Sequence, residues 1–595
     1  MTETTELNDE LGTTSVQWDL TDLYSGTDDK YIQSDIDWCE NEASEINTSF
    51  YGKISELDAA ELLALVKRLE NLDNALTKLG TFSFLNFTTR MDNAQAGALD
   101  QRVHELYSKC GTMTVFFELE WNQVDDRQAR TLIDHPQLGQ YHHYLEALRR
   151  YRPHQLSEPE EKLLLEKEAV GRNSWTTLFN KLFTNLKFGP NKRTEEEVLT
   201  DLYNEDRTIR QSAAAEMTEG LTQNKHILTH IFNTLAADKM ITDRLRNHSS
   251  WVSSMNLHNE LLDKTVETLI ESVTSRYDLV NRYYHVKQQL LGVEKLDDYD
   301  RYAPLPSLPT KKIDWQTCRE TVLASFAAFS PRMAEIAEMF FTGAWIHAPV
   351  STGKRGGAFA HPCVPEVHPY VLINYTGSLR DVSTVAHELG HGVHQVLAGS
   401  QGHFNSETPL PLAETASVFA ELLVFNSQLD LLEDDRERRA FICQKLESIF
   451  ATVFRQTAMN RFEHLMHEGR RQHGELSSEQ LSEYWLSTQR AMFGDSVNLR
   501  DDYGIWWSYI PHFLSTPGYV YSYAFGELLV LALYGLYQQE GESFVEKYIK
   551  LLSAGGSQSP YELLKPFNID LDSPTFWLTG LEVIEKMLSK VELAS

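Results

Sequence analysis

The chain has 595 residues, 42% hydrophobic and 11% aromatic, so it can bury a large core and is too long for one compact unit. Its 54 Lys and Arg residues against 85 Asp and Glu give a formal net charge of -31, which disfavours partners such as nucleic acid or an anionic membrane surface. The five cysteines are scattered and form no CxxC pair, a pattern typical of free thiols in a reducing compartment.

The first twenty residues, MTETTELNDELGTTSVQWDL, are acidic and polar and lack the positive and apolar regions of a signal peptide. The longest apolar run, LLVLALYGLY at 528–537, is about half as long as a membrane span requires. We therefore expect a soluble, cytoplasmic protein that does not enter a membrane. We also expect it to be a monomer.

Most of the first 290 residues show helical periodicity, with charged faces opposite apolar stripes, as at 57–85 and 156–183. The sequence FGPNKRTEEEV at 188–198 indicates either a domain boundary or a loop between helices. We predict an N-terminal helical lobe over 1–195 and a second domain over 196–595. Three prolines in YAPLPSLPTKK, at 302–312, indicate a connector rather than a helix interior.

Residues 343–377 have a different character, because short segments rich in β-forming residues are bounded there by Gly and Pro. This pattern predicts a small sheet, in which YVLINYTG at 370–377 could offer an open strand edge to an extended peptide. From 381 the chain is predicted to be helical again almost to its end. The fold class is therefore mainly α with one small sheet.

The sequence AHELGHGVHQ at 386–395 holds three histidines of the 21 in the chain. On a helix over 381–398 the apolar residues share one side and the histidines lie on the other. His387 and His391 are one turn apart, which lets two imidazoles bind one Zn²⁺ at about 2.0–2.1 Å, with Glu388 beside the metal. The HExxH pattern arises by chance roughly 0.1 times in such a chain, so an exposed polar face is the alternative interpretation.

Two glycines within this predicted helix argue against a merely solvated face. Gly390 and Gly392 each cost about 1 kcal/mol relative to alanine in a helix interior. We therefore expect another part of the chain to approach the helix closely.

A tetrahedral catalytic zinc needs a third protein ligand, and the predicted helix at 412–425 carries only two charges, Glu414 and Glu421. We predict Glu414 as the third ligand. Glu421 is either an acceptor that orients a histidine N–H or a partly buried salt-bridge acid. His394 lies about 10.5 Å along the helix axis from His387, so we expect it to be structural or to line the substrate site.

Several blocks in order along the chain resemble the M3 family of zinc metallopeptidases, and within it the oligoendopeptidase F branch, which is related to thimet oligopeptidase. The blocks are WDLTDLYSGTDD, YDRYAPLP, GKRGGAFAHP, YVLINYTGSLRDVSTVAHELGHGVH, AETASVFAE and HFLSTPGYVYSYAFG. The resemblance implies His387, His391 and Glu414 as ligands of one zinc ion per chain, with Glu388 as general base. It also implies a two-lobed helical body whose deep channel admits short peptides and excludes folded proteins, and it makes 196–595 the catalytic domain.

The expected reaction is hydrolysis of internal peptide bonds of short unstructured peptides by a zinc-bound water, with Glu388 moving the proton. His512 and Tyr519, in the His/Tyr segment 504–526, are the candidates that stabilise the oxyanion. The tyrosine spacing there differs from that of thimet-type relatives, so which of Tyr519, Tyr521 and Tyr523 faces the substrate stays open. Gly357 and Ala358, in GKRGGAFAHP, are further candidates to contact substrate.

Two other functions remain as alternatives. A dipeptidyl carboxypeptidase would use the same site but needs a cation, such as Lys354 or Arg355, to bind the terminal carboxylate. A catalytically inactive peptide-binding protein would keep the fold and lose the chemistry. A thiol protease built on Cys363 is disfavoured because no pattern around it resembles one.

Overall fold

The computed structural model describes residues 3–168, 170–306 and 312–592. Its contacts divide the chain into two units, each made of three segments. Unit 1 comprises 1–152, 309–431 and 536–569, and unit 2 comprises 153–308, 432–535 and 570–595. The predicted division between 195 and 196 coincides with no break between these segments and stays a prediction. Residues 307–311 of the predicted connector lie outside the described residues.

Helices account for most of the described chain, which confirms the mainly α prediction. The helices before residue 306 are α1 Glu3–Leu11, α2 Lys30–Phe50, α3 Ala59–Thr88, α4 Ala94–Thr114, α5 Phe116–Gln123, α6 Asp126–Ile133, α7 His142–Arg149, α8 Glu158–Glu168, α9 Arg172–Asn185, α10 Glu195–Asp201, α11 Arg207–Gln223, α12 Lys225–Leu245, α13 Ser253–His258, α14 Asp263–Thr274 and α15 Asp278–Leu291.

After residue 312 the helices are α16 Trp315–Phe329, α17 Pro331–Thr342, α18 Leu379–Ala398, α19 His403–Ser406, α20 Leu410–Leu431, α21 Asp435–Phe450, α22 Gln456–His473, α23 Ser478–Phe493, α24 His512–Ser515, α25 Tyr521–Glu540, α26 Glu542–Ser553, α27 Pro560–Leu564 and α28 Pro574–Glu592. A π-helical turn, Ala451–Arg455, joins α21 to α22, and a 3₁₀ segment covers Asp501–Tyr509. No helix in the described part of the chain is long and apolar enough to cross a membrane.

The predicted helix at 57–85 is confirmed as α3, which begins at a capping box formed by Asp58 and Glu61. The predicted helix at 156–183 is instead divided into α8 and α9. Gly171 precedes α9 with a non-helical backbone, φ -97° and ψ -113°, and this interrupts the periodic pattern. In the segment 188–198, residues 188–193 form a turn closed by backbone pairing of Phe188 with Arg193, and α10 begins two residues later, all inside unit 2.

The small sheet predicted at 343–377 is present in unit 1. Its strands are β1 Ile346–His347, β2 Phe359–His361 and β3 Tyr370–Leu372, in the order β1-β3-β2. β3 pairs parallel with β1 and antiparallel with β2, with Ala360 opposite Val371. The expectation of an open edge at 370–377 is wrong for β3, because β3 is the central strand. Among the described strands β1 and β2 are at the two edges.

Each unit has its own apolar core. In unit 1 one core cluster is built largely from α2, α3 and α4, whose leucines and isoleucines repeat at helical spacing. In unit 2 a cluster forms around α11, α12, α22, α23 and the 3₁₀ segment, with Trp506 and Trp507 almost fully buried. Among the described cysteines none forms a disulfide, in agreement with the prediction of free thiols.

Candidate active site

The HExxH sequence lies on α18, the helix that begins at Ser378. Ser378 and Asp381 form a capping box that supplies hydrogen bonds to the first turn. The apolar stripe predicted for this helix is buried, with Val382, Val385 and Leu389 at 0% exposure. The opposite face carries the histidines, so the periodicity identified both sides of the helix correctly.

α18 and α20 approach each other so closely that glycine is needed between them. A Cβ atom added to Gly390 would lie 2.6 Å from the carbonyl oxygen of Ala416 and 2.6 Å from the Cα atom of Ser417, both on the backbone of α20. A Cβ atom added to Gly392 would overlap the ring of Phe340 on α17. The close approach predicted from these two glycines is therefore present, and it sets the position of α20 on α18.

This packing brings His387, His391 and Glu414 together, with one ligand atom of each lying within 4.8 Å of the others. Glu414 Oε2 is 3.4 Å from His387 Nε2 and 3.5 Å from His391 Nε2. Two ligands bound at about 2.0–2.1 Å on a tetrahedron around Zn²⁺ are about 3.3–3.4 Å apart. The spacing and the donor types of the three residues therefore fit a zinc ion.

Polar partners hold the three side chains in place. His387 Nδ1 donates to Glu421 Oε2 at 3.3 Å, and the carbonyl of Ala413 accepts from His391. Ser417 Oγ donates to Glu414 Oε2 at 2.7 Å. Such contacts orient metal ligands and fix the tautomer of a histidine. The Glu421 distance supports the first of the two roles predicted for that residue. The Ser417 contact was missed at the sequence level, although its i+3 spacing from Glu414 is a signal for it.

Glu388 is 7% exposed and lies beside the three residues without belonging to them. Burial raises its pKa to about 7, and the charge of Glu414 acts in the same direction, whereas His387 and a hydrogen bond from the backbone of Ala360 lower it. Ala360 belongs to β2, so the sheet and α18 together position this carboxylate. A carboxyl group with a pKa near neutrality suits a general acid–base role.

His394 does not join the cluster. It is 6% exposed, and its Nε2 is 3.2 Å from the hydroxyl of Thr408. Burial lowers its pKa to about 3, so the ring is neutral at ordinary pH. These contacts favour the structural role over a substrate-lining one. Gly357 and Ala358 lead into the edge strand β2, where Gly357 is exposed and has a positive φ of 81°.

The two cations considered for a terminal carboxylate differ in availability. Lys354 Nζ donates to three backbone carbonyls, those of His347, Pro349 and Ile373, at 2.6–3.2 Å. Burial lowers its pKa to about 7. Because its three protons are already used, Lys354 is a structural crosslink of the loop. Arg355 is exposed, with its guanidinium over the ring of Phe84.

The remaining candidates belong to unit 2. The ring centroids of His512 and Tyr519 lie 6.2 Å and 5.0 Å from that of Tyr523, and all three side chains are half-buried. Tyr521 is 0% exposed, and its hydroxyl accepts from Asn259 at 2.8 Å. The expectation that Tyr521 contacts substrate is therefore corrected, because its side chain is enclosed in the core. His512, Tyr519 and Tyr523 form the surface-accessible set.

Comparison with known proteins identifies the family of this chain. Residues 201–583 match the family model described as Peptidase family M3, and residues 120–188 match the one described as Oligopeptidase F. The first match covers more than half of the chain. The chain belongs to Peptidase family M3. M3 is a family of metallopeptidases, so this member is an enzyme of that class, and the resemblance seen in the sequence is confirmed.

Relatives of this M3 peptidase are similar over nearly their whole length. An oligoendopeptidase F homolog of Borreliella burgdorferi is 28% identical, with 93% of this chain and 94% of the relative covered. Oligopeptidase PepF of Bacillus subtilis is 26% identical, with 92% and 82% covered. The crystal structure of oligoendopeptidase-F from Enterococcus faecium is 23% identical and superimposes with a TM-score of 0.71 over 94% of this chain and 97% of that one.

Proposed function

We propose that this M3 peptidase is a zinc-dependent oligoendopeptidase that hydrolyses internal bonds of short, unstructured peptides. The observation that carries the proposal is the cluster of three ligand atoms, in which the distances from Glu414 to the two histidines, 3.4 Å and 3.5 Å, match a tetrahedral zinc site. Glu388, the residue that follows His387 on the same helix, places a buried carboxyl group beside this cluster. His387, His391 and Glu414 would hold the ion. Zinc, when bound, supplies Lewis acidity that polarises a carbonyl and lowers the pKa of water towards about 7.

Glu388 performs the proton transfers in this proposal. As a water molecule attacks the scissile carbonyl, the carboxylate of Glu388 accepts one of its protons. The same carboxyl group then gives the proton to the leaving amine, so one residue acts as base and as acid. In the metal-free protein burial raises the pKa of Glu388 to about 7, and burial of this kind favours a carboxyl group that can both take up and release a proton near neutral pH.

Residues around Glu388 prepare the site for this reaction. Glu421 and the carbonyl of Ala413 keep the two imidazoles oriented, and Ser417 fixes the carboxylate of Glu414. The edge strand β2, entered through Gly357 and Ala358, is where an extended peptide would add main-chain hydrogen bonds. His512 and Tyr519 are the proposed donors to the oxyanion. Tyr523 contacts both rings and would position them.

The decisive experiment uses a ten-residue peptide acetylated at its N-terminus and amidated at its C-terminus. We expect cleavage at internal bonds, identified by mass spectrometry. Glu388→Gln, which leaves every proposed ligand in place, should keep about one zinc per chain and lose at least about 10² in turnover. Removal of residues only from the free ends of unblocked peptides would contradict the endopeptidase assignment, and near-normal turnover by zinc-loaded Glu388→Gln would contradict the role of Glu388.

Size selection is the second test, because the channel implied by the family resemblance would exclude folded chains. We expect peptides of roughly 5–20 residues to be cut, since an extended chain spans about 3.3 Å per residue and must reach across the site. Folded and denatured proteins of casein size, offered at equal mass, should be cut slowly. Rapid internal cleavage of both would rule out an oligopeptidase.

A further inference from the structure

Unit 2 contains a group of buried and half-buried cations, and most of them have a carboxylate of their own. The paired ones are Arg210 with Asp300 at 2.8 Å, Arg500 with Asp298 at 2.7 Å and Lys287 with Glu447 at 2.6 Å. Arg301 and Arg455 differ, because no carboxylate of the described residues lies within 4.0 Å of either guanidinium. Buried charges are costly unless they are paired, so these two require an explanation.

Arg301 is the more enclosed of the two. It is 8% exposed, and its Nε has no hydrogen-bond partner among the described residues. Its Nη2 donates to the hydroxyl of Tyr302 at 2.6 Å, and its guanidinium lies 4.9 Å from the ring centroid of Tyr503. Neither contact is with a carboxylate, so no acidic side chain of the described residues pairs with this guanidinium.

Arg455 belongs to the same cluster, because the charges of Arg301, Tyr302 and Tyr509 act on it. Its nearest polar partner is the hydroxyl of Tyr509, at 3.5 Å from Nη2, and it stands at the end of the π-helical turn 451–455. Such turns occur often at functional sites. Burial would raise the pKa of Tyr302, but the charges of Arg301 and Arg455 outweigh it and lower that pKa. The charges of both arginines therefore act on the same side chain, Tyr302.

The cluster is open to solvent on one side, since Arg455, Tyr302 and Tyr509 are half-buried. Both tyrosine hydroxyls accept from an arginine, and within the described residues neither has an acceptor for its own proton. An anion entering here would find guanidinium donors and phenolic donors together. Arginine pairs with planar carboxylates through two parallel hydrogen bonds, which favours a carboxylate as the ligand.

His512, one of the proposed oxyanion donors, is close enough to Arg455 for the charge of the arginine to act on it. Burial and the charge of Arg455 lower the pKa of His512, so the two side chains share one electrostatic environment. Taking the proposed function as given, we propose that Arg301 and Arg455, with Tyr302 and Tyr509, form a binding site for a carboxylate of the peptide substrate. The carboxylate belongs either to the C-terminus of the peptide or to an acidic side chain.

N-acetylated single amino acids test this site independently of hydrolysis, because they contain no bond between two amino acids that the enzyme could cut. We would titrate the zinc-loaded enzyme calorimetrically with N-acetyl-leucine, N-acetyl-leucinamide and the α-amide of N-acetyl-glutamic acid, in a buffer free of other small anions. We expect N-acetyl-leucine to bind at least about tenfold more tightly than its amide, as a charge-assisted hydrogen bond predicts. The glutamyl probe shows whether a side-chain carboxylate is accepted as well as a terminal one, and the site stands in either case.

Variants identify the arginines. Arg301→Gln and Arg455→Gln should each abolish the preference for acid over amide, and Arg455→Lys should restore part of it because it keeps the charge but loses the planar fork. Arg490→Gln removes an exposed arginine of the same unit and should bind as the parent does. If Arg301→Gln fails to fold, the acid-over-amide preference of Arg455→Gln still tests the proposal, because Arg455 is only half-buried. Equal binding of acid and amide by the parent, or a parent-like preference in Arg455→Gln, would overturn the proposal.

Kinetics on longer peptides separate this site from the proposed function. For an eight-residue peptide with a free C-terminus or an internal acidic residue, the two Gln variants should raise KM about tenfold and leave kcat nearly unchanged, because ground-state binding is lost. An enzyme that cuts no peptide yet prefers acids to amides would refute the proposed function and leave this site intact. An enzyme that cuts peptides but binds acids no more tightly than amides would refute this site and leave the proposed function intact.

Discussion

Gly390→Ala is the sharpest test of how the site is assembled, because it adds one methyl group where two helices meet. The added Cβ would lie 2.6 Å from backbone atoms of Ala416 and Ser417, whereas ordinary contacts begin at 3.4 Å. α20 must therefore withdraw by about 0.8 Å, since backbone atoms cannot rotate away as a side chain can. Glu414 lies two residues before Ala416 and would move with it.

Two opposing effects determine how far Gly390→Ala changes the free energy of unfolding. Overpacking of this kind costs about 1–3 kcal/mol, and alanine regains about 1 kcal/mol of helix propensity. We expect the net free energy of unfolding of the metal-free protein to fall by up to about 2 kcal/mol. Metal–ligand distances tolerate only about 0.2 Å, so the dissociation constant for zinc should rise at least about tenfold although no ligand is changed.

Gly111→Ala is the matched control. Gly111 lies within α4, in the same unit, and an added Cβ would meet nothing within 4 Å. The same substitution there should stabilise by up to about 1 kcal/mol and leave zinc binding unchanged. Scanning calorimetry of the metal-free proteins and zinc competition against a chelator provide the two measurements. If Gly390→Ala is as stable as Gly111→Ala and binds zinc like the parent, the close approach of α18 and α20 does not set the ligand geometry.

Three further substitutions test individual groups. Glu414→Ala should weaken zinc binding rather than proton transfer, and retention of zinc at parental affinity after dialysis against a chelator would exclude Glu414 as a ligand. Glu421→Gln should lower zinc affinity about 10- to 100-fold, because the amide is a weaker acceptor for His387, and an unchanged affinity would leave Glu421 as a salt-bridge acid. Glu463→Gln addresses stability in unit 2: burial raises the pKa of Glu463 to about 8, against a hydrogen bond from Gly518 and the charge of Lys239. The stability from this raised pKa is complete below about pH 4.5 and decreases by up to about 1.4 kcal/mol per pH unit as pH rises towards 8. The variant should lack that decrease in denaturation measured at pH 5.5 and 7.5, and parallel slopes would refute the assignment.

The sequence alone determined the local parts of this protein. The 3.6-residue periodicity separated the apolar and histidine faces of α18, and the i, i+4 spacing placed His387 beside His391, because both depend only on helix geometry. Glycines in a helix interior predicted a close neighbour for the same local reason. The scarcity of charge on α20 selected Glu414 and Glu421, since a mostly apolar helix does not carry acids without a partner.

Tertiary structure decided what depends on residues far apart in the chain. The sequence could not show that β3 is central and β2 is at the edge, because the pairing order of strands depends on long-range packing. It could not separate the enclosed Tyr521 from the accessible Tyr519 and Tyr523, nor show that Lys354 uses its protons on three carbonyls. Arg301 and Arg455 are 154 positions apart, and only folding brings their unpaired charges together. Electrostatic compensation is a property of the assembled interior, where each charge must find a partner in space rather than in sequence.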